Sequence, residues 1–236
     1  VILGQRWAEE YMKSHKGVVI QVTGGGSGTG ISALINGGTD ICQASRPMKD
    51  SERELAQSKH GKPVTEIAVA LDGIAVYVHE KNPIGDLTLE HLKDIYTGKR
   101  VSWKDLGGAD KKIVAYGREN NSGTYVYFKE HVLKDEDFAS DIQTLPGTAA
   151  VVNAVAHDIQ GIGYGGIGYA KGVKELTVNG VAPTMKNVTR NRYPVSRSLY
   201  FYTVGEPAGL AKEFITWVLS DEGQKICQEV GYYPLR

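Results

Sequence analysis

The sequence predicts an α/β fold, and three observations predict it. Apolar residues at helical spacing alternate with short β-branched runs, with no internal repeat and no low-complexity stretch. Two glycine-rich loops, Gly24-Gly25-Gly26-Ser27-Gly28-Thr29-Gly30 and Gly117-Arg118-Glu119-Asn120-Asn121-Ser122-Gly123-Thr124, each run straight into an amphipathic helix pattern. With 236 residues the chain can bury a substantial core, as one large domain or two small ones.

Taken in order, Leu3, Trp7 and Tyr11 fall at helical spacing within residues 3–15, and Gly17 ends that pattern. Residues 18–22 read as an apolar strand feeding the first loop, 31–35 as a brief helix after it, and 39–44 as a strand. Ser51 with Glu54 reads as a capping box opening a helix that ends near Gly61. Residues 64–69 and 73–79 are two β-branched, strand-like runs. The character changes at Asn82-Pro83: 87–96 is helical, 113–116 a strand, and 125–132 the helix behind the second loop. A stripe of Ala150, Val151, Ala154 and Val155 marks a helix over 148–158, followed by short strands at 162–164 and 176–178. Residues 199–204 form a strand, and helices over 208–219 and 221–230 are bounded by Pro207, Ser220 and Gly231. The strands are expected to run parallel. The loops lie in different halves of this layout. A chain that leaves one lobe near 76, builds a second and returns near 200 would set them across a cleft, at the carboxyl ends of strands.

Composition excludes several classes. Lys plus Arg and Asp plus Glu both number 27, so a wide basic surface for nucleic acid is not expected. No apolar run approaches the roughly 20 residues that span a bilayer, and the opening residues 1–7 lack the regions of a signal peptide. Any export signal is expected to be removed or absent. Cys42 and Cys227 make neither a metal cluster nor a disulfide framework, leaving two buried thiols or a single bridge. The histidines at 15, 60, 79, 91, 131 and 157 show no metal-ligand spacing, so no metal or cofactor is expected. Tyrosines at 125, 127, 164, 200 and 202 are expected to serve packing.

The loops point to anion binding. A helix N-terminus leaves backbone N–H groups unpaired and carries a partial positive charge, so an oxyanion there is stabilised without a dedicated basic residue. No lysine follows either loop, which argues against a P-loop. Residues 28–33 fit a permissive dinucleotide pattern, but the helix after them is short and Arg46 and Lys49 stand where an acidic residue is required. Neither loop fits Gly-x-Ser-x-Gly. Arg118 precedes Ser122-Gly123-Thr124 by four residues, so a forked guanidinium stands beside hydroxyl and backbone donors, as an oxyanion requires.

Gly-Arg-x-x-x-Ser-Gly-Thr at 117–124, the first glycine loop, Asp40-Ile41-Cys42-Gln43-Ala44-Ser45-Arg46, Ile162-Gly163-Tyr164, Gly168-Tyr169-Ala170 and the ending Gly231-Tyr232-Tyr233-Pro234-Leu235 carry a resemblance. Over nearly its whole length the chain resembles the phosphate-binding proteins of ABC-type phosphate importers (PstS type). The resemblance implies a two-lobed periplasmic-binding-protein fold of type II, each lobe a mixed sheet flanked by helices and joined to the other by two hinge strands. It places lobe I at 1–75 plus 198–236 and lobe II at 76–197. By position, Ser27, Arg118, Ser122, Gly123 and Thr124 match the family's ligand residues, with Ser45 and Arg46 as further contacts. Another anion loop of the family would lie upstream of Val1. Where known members carry an aspartate that accepts a proton from phosphate, this chain has Arg46, a donor only; Asp72 or a backbone carbonyl is left as the acceptor.

The expected function is a non-enzymatic, monomeric receptor at the periplasmic or extracytoplasmic face of a bacterial membrane. It would capture inorganic phosphate, close by hinge motion and deliver it to the permease of an ABC importer. Three alternatives stand beside it. One is a receptor for sulfate, molybdate or tungstate. Another is an α/β enzyme on a phosphorylated substrate with Glu119 as its base, and the third has the loops as ordinary turns.

Overall fold

A computed structural model describes residues 1–235 of the chain. Its elements in order are α1 (Ile2–Ser14), α2 (Ser27–Ile35), β1 (Cys42–Ala44), α3 (Asp50–His60), β2 (Val64–Val78), β3 (Asp86–Leu87), α4 (Leu89–Tyr96), β4 (Val114–Arg118) and α5 (Gly123–His131). There follow β5 (Gln143–Leu145), α6 (Thr148–His157), β6 (Gly161–Gly166), β7 (Lys174–Glu175), β8 (Thr177–Val178), α7 (Met185–Thr189), β9 (Ser196–Val204), α8 (Gly209–Val218) and α9 (Asp221–Val230). The chain divides into two compact units, Val1–Leu71 with Ser198–Arg236, and Asp72–Arg197. It passes from the first to the second along β2 and returns along β9.

In the first unit β1 lies antiparallel to β9, Gln43 opposite Phe201. One face of this pair meets α2 through Ile31, Leu34, Ile35, Cys42, Ala44 and Tyr202, all buried. On α1 the predicted stripe is the buried one: Trp7 donates from Nε1 to the Gly223 carbonyl at 2.7 Å, and the Tyr11 ring meets Phe214 and Trp217 edge-on. The expected strand at 18–22 is not formed, because the segment has no ladder partner. The capping box also shifts. Lys49 is the N-cap of α3 and its N–H donates to Glu52 at 2.8 Å, so Asp50 and Ser51 already belong to the first turn. Cys42 and Cys227 are free, buried thiols, each pushed up to about 12 by burial.

In the second unit the later part of β2 pairs antiparallel with β6 and β7, whereas β6, β4 and β5 run parallel to one another, and β3 and β8 form a small parallel pair. The sheet is therefore mixed rather than parallel throughout. β4 and β6 end at one edge of the unit, next to the starts of α5 and α6. The aromatic core beneath them stacks Phe128 on Tyr164 at 3.9 Å, with Tyr96 edge-on to both. Helix α6 lies close on β6 because Gly163 and Gly165 have no side chain to hold it off. A Cβ at Gly163 would meet Val151 Cγ1 at 2.7 Å, and one at Gly165 would meet Thr148 Cγ2 at 2.2 Å.

Candidate functional site

Each unit places hydroxyls at the start of a helix that follows a strand or extended segment. In the first, Gly25 and Gly26 turn the chain at φ 120° and 91°, a region closed to other residues, and Ser27 opens α2 with no side-chain cap at the helix end. Ser27 Oγ accepts the Ser45 N–H at 3.0 Å and lies 3.2 Å from Ser45 Oγ. Two residues eighteen apart in sequence, Ser27 buried and Ser45 half-buried, are thus joined into one pair. Thr29 faces elsewhere, donating to the Gly25 carbonyl.

Arg46, next along the chain, is as buried as Ser27 but turned to a different task. Its Nη1 and Nη2 pair with the two oxygens of Glu52 at 2.8 and 2.7 Å, and Nη1 also donates to the Pro47 carbonyl. Both terminal nitrogens are engaged within the fold, so the structure joins Ser27 to Ser45 and leaves the Arg46 fork with Glu52.

In the second unit β4 ends on Arg118 and the turn that follows delivers Ser122 as the N-cap of α5. Ser122 Oγ accepts from the N–H groups of Thr124 and Tyr125 at 3.2 and 3.3 Å. Those helix-start amides, expected to face an anion, are satisfied by the serine; the serine's own proton is left to donate. Arg118 Nη1 donates to Thr148 Oγ1 at 2.7 Å, while Nε and Nη2 bind the two oxygens of Glu119. Thr148 opens α6 after Gly147, whose φ of 84° and ψ of 151° repeat the Gly26 turn, again with no side-chain cap. Thr124 Oγ1 accepts from Arg197 Nη2 at 3.0 Å, and Arg197 in turn binds Asp72. Arg118, Ser122, Thr124 and Thr148 are all buried.

This geometry fixes what the group can do. A guanidinium has donors and no acceptor, so Thr148 and Thr124 must accept from it and keep their single hydroxyl proton for another acceptor. The arginine charges are matched by Glu119 and Asp72. An anion here would therefore be met chiefly by hydroxyl protons and by the uncapped start of α6 rather than by net charge. Burial alone would raise the Glu119 pKa, but the Arg118 hydrogen bond and the backbone N–H groups around it hold it below 4.5. A carboxylate so stabilised is a poor general base, which weighs against the enzymatic alternative. Among the described residues no group of three or more His, Cys, Asp or Glu could hold a metal ion, and no helix is long and apolar enough to cross a membrane.

Thr148 and Arg197 belong to this cluster without having been predicted from the sequence. Thr148 had a readable signal, a glycine-hydroxyl pair opening a helix as at Gly26-Ser27. Arg197 had none, since its partners lie 73 and 125 residues away.

Two α/β units traversed by two strands, with hydroxyl donors at helix starts in each, define the class as a binding protein of the type II PBP fold. The sequence matches the profile of the PBP superfamily domain over residues 2–222. It is 37% identical to the phosphate-binding protein PstS of Pseudomonas aeruginosa, covering 97% of this chain and 78% of that protein. It is 36% identical to PstS of Staphylococcus aureus, covering 98% of this chain and 72% of the relative. The fold superposes with a TM-score of 0.92 on a phosphate ABC transporter substrate-binding protein with bound phosphate from Clostridium perfringens, at 34% identity over 99% of this chain and 95% of that one. An ABC-type phosphate transport receptor from Vibrio cholerae gives 0.81 at 31% identity, over 98% and 94% of the two chains. The chain belongs to the PstS family of phosphate-binding proteins.

Proposed function

We propose that the chain is a receptor that captures inorganic phosphate and hands it, chemically unchanged, to the permease of an ABC-type phosphate importer on the extracytoplasmic side of a membrane. The observation that carries the reading is the donor set of the second unit: Ser122, Thr124 and Thr148 each accept from the protein and so present a proton. Such a set suits a small, multiply charged oxyanion, and the names of the PstS relatives and of the phosphate-bound neighbour agree with it. In this reading Arg118, Ser122, Gly123 and Thr124 are the anion donors of the second unit, Ser27 and Ser45 those of the first, and Arg46 acts through Glu52 rather than by contact. The receptor works as a monomer and catalyses nothing.

Calorimetric titration with phosphate, sulfate and molybdate tests this. Phosphate is expected to bind in the micromolar range or tighter, an affinity above about 8 kcal/mol, with sulfate and molybdate weaker. A preference for sulfate or molybdate would replace phosphate with that ligand, and no heat from any of the three would reject the receptor reading.

A further inference from the structure

Arg197 is the second residue of β9 and Asp72 lies in β2, so the pair joins the last residue of the second unit to its first. Both side chains are almost wholly buried, 6% and 2% exposed. Nε and Nη2 of Arg197 converge on Asp72 Oδ2 at 3.1 and 2.8 Å, and Nη2 also reaches Thr124 Oγ1 at 3.0 Å. The guanidinium lies 5.7 Å from the Tyr127 ring centre, and the Tyr127 hydroxyl donates to the carbonyl of the neighbouring Ser196 at 2.6 Å. Arg197 is therefore held from three directions, and one of the groups it holds is a helix-start hydroxyl of the anion-binding cluster.

The same arrangement occurs a second time in this unit. Glu119 binds Arg118, which donates to Thr148 on the first residue of α6, as Asp72 binds Arg197, which donates to Thr124 on the second residue of α5. In both, a carboxylate neutralises and orients an arginine, and the arginine takes a threonine lone pair. A threonine hydroxyl left to itself turns toward a nearby backbone carbonyl and spends its proton there. Bound to an arginine it cannot donate in that direction, and its proton is fixed toward another acceptor. Because each carboxylate–arginine pair adds no net charge, its effect on an anion runs through the threonine.

We propose that Arg197, anchored by Asp72, is a positioning residue that fixes the Thr124 hydroxyl as a hydrogen-bond donor to the bound oxyanion. This rests on the phosphate-receptor reading. The test is calorimetry with inorganic phosphate on the unmodified chain, Thr124→Val, Arg197→Lys, the charge-neutral pair Asp72→Asn/Arg197→Met, and that pair combined with Thr124→Val. Thermal melting of each protein without phosphate accompanies it. Loss of the threonine hydroxyl is expected to weaken phosphate binding by about tenfold or more. Removing the Asp72–Arg197 pair should weaken it to a similar degree, and the combination should be no weaker than the weaker of the two. Lysine lacks the rigid Nε–Nη2 fork by which Asp72 grips and aims the guanidinium, so its ammonium is not oriented toward Thr124. Arg197→Lys should therefore melt near the unmodified protein yet bind within about threefold of Thr124→Val. Losses that multiply in the combined variant, or an Arg197→Lys protein that binds as the unmodified one does, would overturn the inference and leave the receptor reading intact. If the neutral pair does not fold, Arg197→Lys alone decides between these outcomes. An unmodified chain that gives no heat with phosphate defeats both.

Discussion

Arg46 and Arg118 each pair with a nearby glutamate, yet they spend their donors differently. Arg118 keeps one terminal nitrogen for Thr148, whereas Arg46 gives both to Glu52, which also takes the Lys49 N–H that starts α3. Exchanging Arg118 for Met is therefore expected to weaken phosphate binding about 10- to 100-fold, the worth of a hydrogen bond to a charged group, in a calorimetric titration. Exchanging Arg46 for Met should leave phosphate affinity within about twofold. It should instead lower unfolding free energy by about 2–4 kcal/mol in a urea titration, because Glu52 loses the partner of its half-buried charge. The pH dependence separates the two causes further. Burial would raise Glu52, but the Arg46 hydrogen bond and the Lys49 amide outweigh it and hold the folded pKa below 4.5. A depressed carboxyl contributes stability that is present above its unfolded pKa and lost as pH falls through the folded one. The difference between Arg46→Met and the unmodified protein should thus shrink below about pH 4.5.

At the scale of elements, the glycines decide how close a helix may come to the strand before it. Gly165 of β6 faces Thr148 of α6, and an added Cβ would sit 2.2 Å from the Thr148 methyl. Gly165→Ala is expected to push the start of α6 off the sheet and with it the hydroxyl that Arg118 holds. Phosphate affinity should fall in calorimetry, together with about 1–3 kcal/mol of unfolding free energy by urea titration. Gly147→Ala makes a useful contrast, since nothing lies within 4 Å of its added Cβ and the effect comes from φ alone, about 1–3 kcal/mol. These close approaches explain which parts of the fold were legible in the sequence. The sequence delimits α9 to the residue because Ser220 and Gly231 cap it with groups adjacent in sequence. Helix α2 begins four residues before its apolar pattern, since Gly28 and Gly30 carry no periodicity, and Gly30 is small because Cys42 Sγ would lie 3.1 Å from its Cβ. The sequence reads two strand-like runs, 64–69 and 73–79, with Gly73 opening the second. Instead β2 runs unbroken from 64 to 78, and Gly73 makes room for Ile167, 2.3 Å from an added Cβ. The strand expected at 18–22 failed for the opposite reason: an apolar run becomes a strand only where a remote partner lies beside it.

For the molecule as a whole, the candidate site is a set of local motifs completed by remote partners, and its pH response follows the same division. In the second unit Arg118 and Ser122 stand in a readable loop, whereas Asp72 and Arg197 meet only because β2 and β9 come together at the ends of that unit. Glu175, on β7 opposite Tyr77, is a third product of remote pairing. Its Oε1 is buried with no hydrogen-bond partner, and burial raises the carboxyl from 4.5 to about 7. A raised carboxyl acts in the opposite sense to Glu52. Between pH 4.5 and 7 the folded state holds a proton that the unfolded chain has released, so stability falls as pH rises through that window. Such a shift is worth at most about 3 kcal/mol, and the partial exposure of Glu175 reduces this to about 1–2 kcal/mol. Asp72 is raised above 3.8 by burial despite Arg197 and adds a slope of the same sign. The unmodified protein should therefore be more stable to urea at pH 5 than at pH 8. Glu175→Gln, which keeps the shape and removes the charge, should be stabilised at pH 8, be nearly unchanged at pH 5, and lose most of the slope between them. A Glu175→Gln protein that keeps the full slope would assign it to Asp72 or to another carboxyl, and phosphate affinity at pH 8 should be the same in both proteins, since Glu175 is not among the residues proposed to hold the anion.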